Sequence, residues 1–192
     1  MLYIFDCFPF CMDYSGWLLD TAKGNEFLLK INRRIGLITG LDTTFRLLYS
    51  SVEQYQVLNY GIGGWYIPHH DNLNIPIWEP STNKCRDELE NTGDRIATWM
   101  FYLSSLKAGG ATVFPKLRAR VPVVEGAAAF WYNILPNGDK DDRMLHAGCP
   151  ILLGSKWVAN KWIRQGGQVL TKLCGKTHEA EFEYDIDGKK SS

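Results

Sequence analysis

The stretch "RIATWMFYLS", Arg95 to Ser104, carries apolar side chains on both of its alternating sets of positions. A strand with one face in water alternates apolar with polar residues, so this pattern fits a strand sandwiched inside two packed sheets. The sequence around it reads the same way. From Ser51 onward it breaks into short segments rich in β-branched and aromatic residues: "EQYQVLNY", "WYIPHHD", "ATVF", "VPVV", "AAAFWYN" and "KWVANKWIR". Gly, Pro and Asn/Asp stretches separate them. The expected fold is mainly β with helical support, a jelly roll or barrel.

The helical support lies ahead of the strands. Phe27, Leu28, Ile31, Ile35 and Ile38 recur at helical spacing between Asn25 and Ile38, and Gly40 supplies the stop. A second short helix is expected at Asp42/Thr43/Thr44, whose side-chain oxygens can cap free backbone N–H groups. The organisation is then a helical support segment over 1–47, a core over 48–175 and a polar tail over 176–192. Residues 72–93 form a connection longer than a hairpin needs, of the kind that serves as a lid or binding loop.

At 192 residues with 45% apolar residues, the chain suits one ordinary globular core. Lys+Arg and Asp+Glu are equal at 21 each, so the overall field favours neither nucleic acid nor an anionic membrane as partner. The N-terminus is apolar but has no basic region and carries Asp6 and Asp13, so no signal peptide is read there. Five cysteines show no CxxC spacing.

If "WYIPHHD" is a strand, His69 and Asp71 share a face and His70 points away. An imidazole and a carboxylate on one face need one more histidine to complete the 2-His-1-carboxylate set of non-haem Fe(II) oxygenases. Of the two left, His178 lies in the polar tail, and His146 in "RMLHAGCP" stands just before another strand, which favours His146. The same three residues also suit a hydrolytic zinc site with an open position for water. Ten residues after His146 comes Lys156, and alternation along "KWVANKWIR" sets Lys156, Val158, Asn160, Trp162 and Arg164 on one face. Such a face would line a pocket for an anion and a flat substrate group.

Taken together, "NYGIGGWYIPHHD", "GDRIATWMFYLSSLKAGGATVFP", "GAAAFWYNI", "HAGCP" and "GSKWVANKWI" resemble the catalytic domain of collagen prolyl 4-hydroxylase α subunits, from about Ile31 to Cys174. The resemblance implies a double-stranded β-helix and an Fe(II)- and 2-oxoglutarate-dependent dioxygenase. It makes His69, Asp71 and His146 the iron ligands. Lys156, Tyr60 and Thr112 match co-substrate positions, and Tyr66, Arg95 and Trp162 match the peptide groove. The implied reaction consumes O2, decarboxylates 2-oxoglutarate to succinate and hydroxylates C4 of a prolyl residue in collagen-like, proline-rich peptides, with L-ascorbate rescuing oxidised iron. Protein disulfide isomerase as β subunit, a Cys149–Cys174 disulfide and the endoplasmic reticulum lumen are implied with it.

Two departures qualify the match. Arg164 stands where the collagen enzymes usually have a histidine near the C1 carboxylate; a fixed cation keeps the charge but cannot give up a proton. Activity with altered co-substrate or substrate preference is expected. The first strand of the catalytic domain is also expected to be missing, as from a truncated or unusual gene product. The rival readings are a catalytically inactive binding subunit and the zinc hydrolase.

Overall fold

The computed structural model describes residues 3–5, 13–20, 25–45, 50–73, 78–79, 84–85 and 92–168. The β-rich half of the sequence builds two antiparallel sheets. Strand β1 (Tyr3–Phe5), β2 (Asp13–Leu18), β3 (Tyr55–Tyr60), β7 (Arg95–Tyr102), β11 (Ala128–Tyr132) and β14 (Lys156–Arg164) form the larger sheet, in the order β1-β2-β3-β14-β7-β11. The smaller one is β10 (Ala119–Val121), β9 (Thr112–Phe114), β12 (His146–Gly148) and β4 (Tyr66–His69), in that order. Strands β8 (Ala108–Gly109) and β13 (Ile151–Leu153) pair with each other, as do β5 (Trp78–Glu79) and β6 (Lys84–Cys85). This is the two-layered jelly roll expected from the strand pattern.

Between the layers lies a core of Leu58, Met100, Tyr102, Phe114, Trp131 and Val158. The other face of the larger sheet is covered by helix α1 (Glu26–Thr39) and its flanks, through Ile35, Leu41, Val52, Ala97, Tyr132 and Ile163. The two apolar faces of "RIATWMFYLS" are thereby explained with a correction: one meets the opposite sheet, but the other meets the helical layer.

Helix α1 ends as read, on Gly40 at φ 68°, where its N–H donates to Gly36 O. Its buried stripe is rotated from the apolar pattern, however. Asn32 and Ile35 are buried, whereas Phe27 and Ile38 are exposed, because Asn32 is drawn inward by hydrogen bonds to Asp20 and Tyr55. The second helix does not begin at Asp42: residues 41–45 are non-helical, with Asp42 Oδ1 accepting from the Thr44 N–H and Thr43 Oγ1 donating to Asn32 O. "VPVV" is not a strand either. Pairing stops at Val121 because Pro122 has no N–H to donate, and Val123 turns into the core.

The first 47 residues hold more than helix. Strand β2 pairs with β3 from Asp13↔Tyr60 to Leu18↔Tyr55, so a strand is present where one was expected to be missing. The connection over 72–93 includes the β5–β6 pair, and the tail over 176–192 lies outside the described residues. No helix among the described residues is long and apolar enough to cross a membrane.

Candidate metal and co-substrate site

His69 closes β4 and His146 opens β12, and antiparallel pairing sets the two opposite each other, with ring centroids 4.3 Å apart. Strand β4 ends before Asp71, which stands in the following bend, yet its carboxylate returns to the side that alternation assigned. Asp71 Oδ1 lies 3.7 Å from His69 Nε2, and Oδ2 lies 3.7 Å from His146 Nε2. The three donors fall within 4.8 Å of one another, the one such cluster among the described residues.

Each imidazole is oriented by its own strand. Nδ1 of His69 lies 2.8 Å from Ile67 O, and Nδ1 of His146 lies 2.8 Å from Met144 O. A carbonyl only accepts, so Nδ1 carries the proton and each Nε2 keeps its lone pair for a metal. Burial, and then the neighbouring His146, push the His69 pKa below its ordinary value, which keeps the ring in its neutral, ligating form. Asp71 is held by Thr98, whose hydroxyl donates to Oδ2 at 2.6 Å while accepting from Asn133 Nδ2 at 3.0 Å. Sequence reasoning missed both; the available signal was Thr98, the one small hydroxyl residue inside an apolar strand.

The three donors open onto a cavity of about 410 Å³, which also takes in Tyr60, Thr112 and Lys156. Lys156 is 5% exposed and pairs in register with Tyr60. Its Nζ donates to Thr112 Oγ1 at 3.3 Å, and the Tyr102 hydroxyl donates to the same oxygen at 3.0 Å. Thr112 thus accepts twice and keeps its own proton to offer. Burial pushes the Lys156 pKa down to about 8, with Cys149 opposing only in part, and no carboxylate among the described residues pairs with it. A buried cation with no counter-charge is costly, and a ligand carboxylate would supply what is missing. Donor set and cation therefore fit Fe(II) and a dicarboxylate such as 2-oxoglutarate. A zinc hydrolase has no use for Lys156.

Tyr66, Arg95 and Trp162 line the same cavity, and Trp17 of β2 joins them unanticipated. The Arg95 guanidinium lies 3.7 Å over the Trp162 ring and grips Glu53 with Nε and Nη2, at 2.6 and 2.8 Å. Arg164, placed by alternation on the inward face, is not among the cavity-lining residues. Its Nε lies 2.8 Å from Glu53 Oε1 and its Nη1 donates to Gly93 O at 2.8 Å, because the β14–β7 register shifts between Ile163 and Arg164. His70 also borders the cavity, but its Nε2 lies 3.8 Å from Asp142 Oδ1 and outside the three-donor cluster. Cys149 has a free thiol, and Cys174 lies outside the described residues.

Comparison with known proteins agrees with this geometry. The chain is 47% identical over 165 residues to human prolyl 4-hydroxylase subunit alpha-3, covering 86% of this chain and 28% of that one. To chicken (Gallus gallus) prolyl 4-hydroxylase subunit alpha-1 it is 46% identical over 160 residues, covering 83% of this chain and 28% of the relative. It thus spans little more than a quarter of the length of the curated relatives it matches. Among solved structures, the 2OG complex of a viral collagen prolyl hydroxylase from Paramecium Bursaria Chlorella virus-1 superposes with a TM-score of 0.62 at 25% identity, covering 80% of this chain and 79% of that one. The sequence profile of the 2OG-Fe(II) oxygenase superfamily matches residues 55–164. With that match over more than half its length, and with the two-His, one-Asp set where the profile falls, the chain belongs to the 2OG-Fe(II) oxygenase superfamily.

Proposed function

We propose that the chain is a peptidyl-prolyl 4-hydroxylase acting on proline-rich, collagen-like peptides. The observation that carries this reading is a single cavity lined by three metal donors, an uncompensated buried lysine and the aromatic and cationic groups Tyr66, Arg95 and Trp162. The relatives named as prolyl hydroxylases support it.

His69, Asp71 and His146 would hold Fe(II), which would supply the redox chemistry for using O2 to decarboxylate 2-oxoglutarate and hydroxylate C4 of a prolyl ring. The chain's own residues do the rest. Lys156 pairs with a 2-oxoglutarate carboxylate, and Thr112 donates its remaining proton to it. Tyr60 stands beside them on the neighbouring strand and completes that end of the pocket. Thr98 and Asn133 keep the Asp71 carboxylate turned toward the two Nε2 atoms. Trp131 and Phe114 pack on the His146 ring at centroid distances of 5.0 and 5.5 Å and exclude water from its far side. Arg95, stacked on Trp162, gives the peptide an aromatic surface with a fixed cation at its edge, which suits a preformed polyproline II chain. The Arg164–Glu53 contact supports an effect of Arg164 on peptide preference, through Glu53 and Arg95.

By the same resemblance, ascorbate keeps the iron reduced, protein disulfide isomerase is the β subunit, and the compartment is the endoplasmic reticulum lumen; the disulfide the resemblance implies is not formed at Cys149, whose thiol is free. Anaerobic addition of Fe(II) and 2-oxoglutarate should produce a metal-to-ligand charge-transfer band. Admitting O2 with a Pro-Pro-Gly repeat peptide should then release succinate and form 4-hydroxyproline. A band without peptide-stimulated succinate would favour the inactive binding subunit, and absence of the band would remove the oxygenase reading.

A further inference from the structure

Strand β2 enters the cavity through one side chain and is anchored on the opposite face through another. In register, Trp17 lies beside Gln56 of β3, and Gln56 lies beside Asn160 of β14; all three line the cavity. The Trp17 and Trp162 ring centroids are 6.2 Å apart, so two neighbouring aromatic rings border the space beside the metal donors. Residue 161 is the other face of β14. There the Lys161 Nζ lies 2.6 Å from Oδ2 of Asp20, two residues past the end of β2, and both side chains are wholly inaccessible to solvent.

Asp20 is tied to two further residues. Its N–H donates to Gln54 Oε1 at 2.8 Å, and its Oδ2 also accepts from Asn32 Nδ2 of α1 at 2.6 Å. Asn32 Oδ1 in turn accepts from the Tyr55 hydroxyl at 2.7 Å, and the Lys161 ammonium sits 4.4 Å over the Tyr55 ring. An apolar contact tolerates sliding, whereas buried charges drawn apart lose the compensation that makes their burial bearable. The pair therefore fixes where β2 ends, and through the β2 ladder it fixes Trp17.

We propose that the buried Asp20–Lys161 pair is a positioning device for the peptide groove: it pins β2 to β14 and sets Trp17 against Trp162 on the wall that receives the proline-rich chain. This rests on the prolyl-hydroxylase reading and deepens it, making Trp17 a specificity-determining residue and Asp20 and Lys161 positioning residues.

The test is a split between two Michaelis constants. The variant Asp20→Asn/Lys161→Met removes both charges together and so avoids stranding one of them. It should raise the KM for a Pro-Pro-Gly repeat peptide by about fivefold or more, with the 2-oxoglutarate KM and the charge-transfer band as in the unmutated protein. Trp17→Ala should raise the peptide KM comparably. Adding Trp17→Ala to the charge-removing variant should add less than about twofold, because all three changes act through one contact. A peptide KM within about twofold of the unmutated protein in either variant, or effects that simply multiply, would overturn the proposal. Calorimetric Kd values for the same peptide read the same ordering without turnover. Binding without hydroxylation would thus reject the enzyme reading alone, whereas no peptide binding by the unmutated protein would reject both.

Discussion

Two lysines on β14, five residues apart and on opposite faces, show how one strand serves two purposes. Both are buried, and burial lowers the pKa of both. Lys161, facing the helical layer, has Asp20 at 2.6 Å, so its charge is countered within the fold. Lys156, facing the cavity, has the Thr112 hydroxyl at 3.3 Å, the Tyr60 and Tyr102 rings at 5.7 Å and no carboxylate among the described residues. The first charge is part of the architecture. The second is left for a ligand to complete, so the ligand-free protein bears a desolvation cost that co-substrate binding relieves.

The comparison is most directly broken by removing each charge in turn. Lys161→Met leaves Asp20 buried without its cation and should cost roughly 3–5 kcal/mol in chemical denaturation. Lys156→Met removes a buried cation that has no counter-ion and should stabilise the ligand-free protein by about 1–3 kcal/mol. Equal losses in both variants would mean that Lys156 has a structural partner after all. Function should divide the opposite way. Lys156→Met should weaken 2-oxoglutarate by about a hundredfold, the loss of a charge-assisted pair of 2–3 kcal/mol, as read from titration of the charge-transfer band.

A smaller effect sharpens the contrast on the metal side. Thr98→Val keeps the shape but removes the donor 2.6 Å from Asp71 Oδ2, and Asn133 then loses the nearer of its two acceptors as well. Iron affinity should fall by about ten- to a hundredfold, the usual cost of losing a group that orients a ligand, with 2-oxoglutarate specificity retained. Unchanged iron affinity would show that Asp71 is held in place by its backbone alone.

How much of this was legible in the sequence differs between the two faces of β14. The cavity face was readable because period-two alternation is local: it set His69 with Asp71, and Lys156 with Trp162, without knowledge of the partner strands. At Arg164, past the register shift after Ile163, the side chain contacts Glu53 and is not among the cavity-lining residues, and a shift of that kind leaves no trace in alternation. The helical face was not readable. Lys161 looks like a surface lysine until Asp20, 141 positions away, is brought against it. For the same reason α1 was assigned too apolar a buried stripe, and Asn32 went unnoticed at its centre. Strand β2 escaped because "DYSGWL" has weak strand character alone; pairing with β3 along its whole length makes the strand. Long-range polar pairing is the common cause.

The mildest prediction concerns pH and follows from the same asymmetry. Burial holds Lys156 near a pKa of about 8 in the ligand-free fold, below its ordinary 10.5. Below pH 8 folded and unfolded chains both carry the proton; between the two values the unfolded chain binds more of it, so ligand-free stability should rise with pH across that window. Co-substrate binding runs the other way, since a carboxylate prefers the charged lysine. The 2-oxoglutarate Kd should therefore increase roughly fourfold between pH 7 and 8.5, while the ligand-bound protein loses the rise in stability. The decisive sample is Lys156→Met, which should lose the 2-oxoglutarate trend and keep only the part of the stability rise that Lys161, also lowered by burial, supplies. If its ligand-free stability climbed as steeply between pH 8 and 10.5 as that of the unmutated protein, the titrating group would lie elsewhere in the fold and Lys156 would not be the uncompensated charge of the cavity.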